Sequence, residues 1–179
     1  MIKLKDIIVK ELRYDIQLDD SQRVIMTHHP IKFSLTHKYE QTSCFGNPFE
    51  KPRGLWYGFG NSWIEWVRGE MPEWEGNCLY ELNIKHSNVL SINNFKEMEQ
   101  FYENFNTIPT DPTYQRWDEY HNPIDWNKVA DKYDGIEIPV YRHECRFNHS
   151  WYYGWDVASG CIWNLKNVLL TQLEGPEGK

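Results

Sequence analysis

Lys51-Pro-Arg-Gly-Leu-Trp-Tyr-Gly-Phe-Gly-Asn-Ser-Trp-Ile-Glu-Trp-Val67 is the stretch on which the fold turns. After the irregular run through Gly46, Pro48 and Pro52, Gly54-Leu-Trp-Tyr57 reads as a strand, since aromatic side chains suit a pleated, half-buried surface. Asn61 or Ser62 can then cap a helix carrying Trp63, Ile64, Trp66 and Val67. A strand, a tight turn and a helix follow in direct succession. The glycines let the backbone approach a ligand closely, while the rings offer flat faces for stacking.

Working outward, Ile2, Leu4, Ile7, Ile8 and Leu12 form a stripe that suits a short helix or strand within an N-terminal extension over residues 1–30. Lys32-Phe-Ser-Leu-Thr36 alternates as a half-buried strand ending at His37, and Cys78-Leu-Tyr-Glu-Leu-Asn-Ile84 and Asn88-Val-Leu-Ser-Ile92 read as further strands. Asn94 opens a helix with Phe95, Met98, Phe101, Tyr102 and Phe105 on its apolar side. Residues 107–123, with three prolines, form a long surface loop and a candidate lid. Asp125-Trp-Asn-Lys-Val-Ala-Asp-Lys-Tyr133 reads as a short helix, Gly135-Ile-Glu-Ile138 as a strand stopped by Pro139, and residues 160–163 as the last strand before a fraying tail. No repeat or linker divides this pattern, so a single α+β domain is expected.

Nine tryptophans and an aromatic content of 16% admit a plain reading, a bulky core. Their clustering argues for more. Trp151-Tyr-Tyr-Gly-Trp-Asp-Val-Ala-Ser-Gly-Cys-Ile-Trp163 again interleaves rings with glycines, as a pocket for a flat molecule would. Cys44, Cys78, Cys145 and Cys161 form no C-x-x-C pair, which argues for free thiols in a reducing cytoplasm and against a zinc ribbon. The adjacent His28 and His29 point to opposite sides of an extended chain and make a poor metal pair. A net charge of -7 gives no general attraction to phosphate backbones, and no apolar run suits a membrane span.

A strand ending in His, a Gly-aromatic-aromatic strand followed by a helix, an alternating strand pair, the Tyr133-Asp-Gly-Ile136 strand and a closing strand together resemble the ADP-ribosyltransferase fold of the His-Tyr-Glu type, in its small bacterial and phage versions. The resemblance spans most of residues 31–170 and implies a split antiparallel β core with flanking helices. It implies NAD as substrate, with no metal, and transfer of ADP-ribose to a macromolecular acceptor, protein or nucleic acid, as a toxin or phage effector would perform it. On the matching positions it assigns Thr36 and His37 to the ribose of NAD, and Trp56 or Tyr57 to nicotinamide, with Tyr57 favoured to face the pocket. Gly54 and Ser62 complete the NAD-binding set. Where the family carries its acid, at the front of the last strand, this chain has Ser159 and Gly160. Asp156 is the nearest acid and Glu137, on an earlier strand, the second candidate catalytic carboxylate.

Each of these residues has an ordinary alternative. His37 suits a satisfied surface imidazole, Ser62 a plain helix cap, and Lys51 and Arg53 solvated charges at a Pro-Gly turn as readily as diphosphate contacts. Arg142, His143 and Arg146 near Trp151 form the notable basic group, able to grip a phosphate or merely to balance acidic neighbours. Tyr152, Tyr153 and Trp155 suit an adenine or acceptor site, or an interface with a protein partner. A chain that kept the fold and lost the acid would be a noncatalytic nucleotide- or protein-binding module.

Overall fold

In the computed structural model, which describes residues 17–32, 34, 36–42, 47–108 and 122–175, the stretch quoted above forms strand β2, Leu55–Phe59, and helix α1, Ser62–Glu70. They belong to a seven-stranded mixed sheet completed by β1 (Arg23–Thr27), β3 (Cys78–Ile84), β4 (Val89–Ser91), β5 (Gly135–Ile138), β6 (Ser159–Ile162) and β7 (Val168–Glu174). The order is β4-β5-β6-β2-β1-β3-β7. Among the described residues, only β4 and β5 pair in parallel. Helices α2, Phe95–Phe105, and α3, Trp126–Ala130, connect them, because parallel neighbours require a crossover. One α+β domain results.

β5 and β6 are buried at every position, as strands covered on both faces must be. The pairing register divides the sheet into two sides. Val24, Trp56, Cys161 and Ile136 share one side with α1, α2 and α3. Ile25, Tyr57, Tyr80 and Leu82 face the other, with Leu165 and Val168 packed against them. Trp126, Trp151, Trp155 and Trp163 are almost completely buried, each contributing roughly 4–6 kcal/mol of gross transfer free energy. Helix α2 buries Met98, Phe101, Tyr102 and Phe105. Asn94 caps it by accepting from the Glu97 N–H at 3.0 Å, and Glu97 accepts from the Asn93 N–H at 2.7 Å, so two orphan amides at the helix start are satisfied.

Several expectations are corrected. The first core strand is β1, so residues 23–27 are no extension: Val24 and Ile25 are buried at the middle of the sheet. Among the described residues of 32–37 there is no strand. The His37 N–H donates to the Ser34 carbonyl, and the Ser34 and Thr36 hydroxyls meet at 2.8 Å, local bonds that compete with a sheet ladder. β6 is followed by β7, which pairs antiparallel with β3 from Val168 opposite Ile84 to Glu174 opposite Leu79, with a register shift between Leu79 and Tyr80. The sheet is continuous and mixed, not split and antiparallel. β3 and β4, adjacent in sequence, lie near its opposite ends, and Phe95 is 49% exposed because it precedes the buried stripe by one turn. The stripe over residues 2–12 and most of the 107–123 loop lie outside the described residues. The loop's ends are tied by the Thr107 N–H to the Pro123 carbonyl and by the bridge between Asn106 and Ile124.

Candidate functional site

The helical side of the sheet carries a cleft of about 370 Å³ beside α1. Val24 and Met26 of β1 and Gly58 of β2 line it together with Trp63 and Trp66 of α1, Trp74, Trp56, Trp155, Lys51, Gly154 and Asp156. Helical spacing explains the first two rings. Ile64 and Val67 turn into the core, and Trp63 and Trp66, one residue behind each, form an adjacent i,i+3 row. Their rings stack at 5.1 Å and 18°, with Trp74 at 6.2 and 6.4 Å. Gly58 admits this arrangement, since a Cβ there would come within 2.8 Å of the Trp63 Cβ. Trp56 and Trp155 meet edge to face at 4.9 Å.

The polar groups gather near Trp56. The Lys51 stem crosses Gly154, where a Cβ would meet the lysine Cε at 2.6 Å, and its ammonium lies over the Trp56 ring at 5.2 Å. Part of Lys51 is open to solvent, yet this seat removes water from the amine and lowers its pKa. Asp156 opposes that shift and Arg146 adds to it. Arg146 pairs with Asp156 at 2.9 Å, and its guanidinium also lies over Tyr153 at 5.1 Å. Two cations and one carboxylate thus stand beside flat apolar walls, an arrangement suited to a planar ring bearing an anionic group. The volume matches one ring with its sugar, near the lower end for small-molecule pockets, leaving the rest of a dinucleotide outside.

On the opposite side of the sheet lies a second polar cluster. Tyr57, Gly160 and Glu137 form one row across β2, β6 and β5, and the Tyr57 ring lies over Gly160, where a side chain would collide with it. The tyrosine hydroxyl donates to Glu137 at 2.9 Å, while Arg23 Nε and Nη2 donate to the two carboxylate oxygens at 2.9 and 3.0 Å. Burial first, and then the Glu137 charge, raise the Tyr57 hydroxyl pKa well above the ordinary tyrosine value. Glu137 is 6% exposed. Its oxygens are occupied, as a structural ion pair requires.

The residues singled out from sequence therefore separate. Trp56 and Asp156 come together in the cleft. The cleft touches Tyr57 as well, but the ring turns away to Glu137, so Trp56 presents its ring there in place of the favoured Tyr57. Ser62 caps nothing with its side chain: its hydroxyl donates to the Ala158 carbonyl at 3.0 Å and ties α1 to the approach to β6. Gly54 is a close-packing position, where a Cβ would lie 2.5 Å from the Ile162 carbonyl oxygen. Thr36 and His37 are exposed and do not line the cleft; His37 stands edge to Tyr39 at 4.5 Å, near the far end of β6, where its carbonyl accepts from the Leu165 N–H at 3.0 Å. Sequence reasoning passed over Arg23 and Trp74. Trp74 lies just beyond α1, in the 3-10 turn Pro72–Trp74, where no period marks it.

Among the described residues, no group of three or more His, Cys, Asp or Glu is placed to hold a metal ion, and no helix is long and apolar enough to cross a membrane. Comparison with protein-family models, curated proteins and solved structures finds no match.

Proposed function

We propose that the tryptophan cleft is an NAD site and that the protein is an NAD-dependent ADP-ribosyltransferase acting on a macromolecular acceptor. The observation that carries this reading is the cleft itself, five tryptophans with Lys51 and Asp156 among them and Arg146 bonded to Asp156. A nicotinamide or adenine ring stacks among the tryptophans, and the diphosphate draws Lys51 and Arg146. Asp156, released from Arg146, then faces the ribose. Cleavage leaves the bonding electron pair on nicotinamide and positive charge on the ribose. A fixed carboxylate there lowers the barrier by about 3 kcal/mol. The acceptor nucleophile attacks the ribose carbon and gives up its proton.

The test is incubation of the purified protein with NAD and cell extract, following nicotinamide release and the melting temperature. NAD is expected to raise the melting temperature. Asp156→Asn keeps that rise and loses release by about 100-fold, whereas Trp56→Ala loses both. His37→Ala leaves both unchanged; a loss of release in that variant would move the site to the other end of β6. No effect of NAD on the melting temperature refutes the reading.

A second reading, a noncatalytic nucleotide-binding module, is favoured by one observation: each candidate carboxylate is paired with an arginine at 2.9 Å, Asp156 with Arg146 and Glu137 with Arg23. A nucleotide that raises the melting temperature while no nicotinamide is released would select it.

A further inference from the structure

The cleft has two unlike ends. At one, Lys51 and Asp156 stand around Trp56 and Trp155, and Arg146 is bonded to the carboxylate. At the other, Val24, Met26, Gly58, Trp63, Trp66 and Trp74 offer carbon, indole and thioether surface and no side-chain oxygen. The pairing of Val24 with Gly58, and the approach of Gly58 to the Trp63 Cβ, hold this end together. Stacking at 18° uses one face each of Trp63 and Trp66, whereas Trp74 is tilted by 36° and 54° against them, so the three rings that line this end form a corner and not a flat stack. The segment that carries the rings is acidic. Residues 62–75 hold Glu65, Glu70, Glu73 and Glu75 against Arg68. Arg68 is paired with Glu75 at 3.0 Å, which leaves Glu65, Glu70 and Glu73 without an ion pair among the described residues. Glu70 follows Trp66 by four residues and Trp63 by seven, so it extends their row along the helix.

We infer that the end lined by Trp63, Trp66 and Trp74 is a seat for an organic cation whose charge sits on a quaternary nitrogen, in a pyridinium ring or a trimethylammonium group. Among aromatic side chains tryptophan attracts a cation most strongly. Carboxylates standing back from the rings add a favourable field without having to accept a hydrogen bond. A primary ammonium or a guanidinium would give up hydrogen bonds to water here and meet no side-chain oxygen in return, whereas a quaternary nitrogen has no N–H to satisfy. A neutral ring would gain the apolar contact and nothing from the glutamates. An anionic group is drawn to the opposite end, where Lys51 and Arg146 stand. The seat stands without the NAD reading; only the placing of nicotinamide on it, whose ring nitrogen is quaternary in NAD, rests on that reading.

The test is ligand-observed NMR titration with probes matched in shape and differing in charge: choline against its neutral carbon isostere dimethylbutanol, and ring-N-methylated nicotinamide against nicotinamide. In at least one pair the cation is expected to bind about tenfold more tightly than its neutral counterpart, and the pair with the larger difference tells an aromatic from an aliphatic ligand. Trp74→Ala should weaken the cation about tenfold with little change in melting temperature, because the ring is 49% exposed. Glu70→Gln with Glu73→Gln keeps the rings and should weaken the cation while leaving the neutral compound unchanged. Equal binding of cation and neutral compound in both pairs would overturn the seat, and so would cation binding that survives Trp74→Ala. Absence of binding by both cations would overturn it too. A failure of NAD to raise the melting temperature refutes the NAD reading alone, since these probes carry no diphosphate and report on the rings directly.

Discussion

Trp56 and Tyr57 are neighbours on one strand and end in opposite chemistry. Trp56 faces the helices, packs edge to face on Trp155 and carries the Lys51 ammonium over its ring. Tyr57 faces the other side, where its hydroxyl completes a closed set with Glu137 and Arg23. One side keeps open stacking surface and charges only partly matched. The other has consumed its hydrogen-bonding capacity internally. A buried charged residue is therefore no sign of function by itself; what distinguishes the sides is whether unsatisfied recognition capacity remains next to open space.

The sharpest way to break the comparison is Glu137→Ala, which strands a buried tyrosine hydroxyl and a half-buried arginine. Urea denaturation is expected to show a loss of about 3 kcal/mol, at the lower end for a broken buried pair because Arg23 retains some solvent. The NAD-induced rise in melting temperature should survive in the remaining folded protein. A stable Glu137→Ala protein that no longer responds to NAD would move the functional site to the Tyr57 side. Trp74→Ala probes the cleft in the opposite sense. Trp74 is 49% exposed, so its loss should cost stability under about 1 kcal/mol while weakening NAD binding about tenfold in calorimetry, within the range for one lost stacking contact.

The last contrast is titration, in which the two groups are shifted in opposite directions, Tyr57 upward and Lys51 downward. Because the Tyr57 pKa is raised on folding, its contribution to stability is complete below about pH 10 and declines as pH rises further, by at most about 1.4 kcal/mol per pH unit. Tyr57→Phe should abolish that decline in denaturation curves collected between neutral and strongly alkaline pH. Lys51 has the reverse shift. Binding of an anionic ligand should be strongest with the amine charged and fall as pH rises through its lowered pKa, before ordinary lysines titrate. Loss of both in one pH range would undo the contrast.

Much of the fold was legible in the chain. β2 with α1, β3, α2 and β5 follow from alternation, helical spacing and an Asn cap, signals that act within a few residues. β1 was hidden because its strand, Arg23–Thr27, starts at a charged residue after a polar run and ends beside two histidines; its partners, β2 and β3, lie more than 25 residues away in sequence. β7 was hidden for a related reason: its apolar residues do not alternate along the strand, and its partner β3 is far away in sequence. Of the candidate site, Trp56, Trp155 and Asp156 stood out in sequence as aromatic and acidic neighbours of glycine. The pairing of Arg146 with Asp156 did not, since the nine residues between them form turns and one short 3-10 segment, Ser150–Tyr152, with no period to read.

By itself the sequence determined which segments are strands or helices where the period is strong, and it determined that tryptophan and glycine concentrate in two stretches. These are local properties, fixed by backbone geometry and side-chain spacing. The tertiary structure alone decided that the two stretches meet, that Trp56 and Tyr57 serve opposite sides, and that Glu137 lies buried under Arg23 while Asp156 lines a cleft. A strand's register is set by hydrogen bonds to distant partners, and shifting it by one residue exchanges its faces. No spacing along the chain can encode that choice, because the atoms that make it belong to other strands.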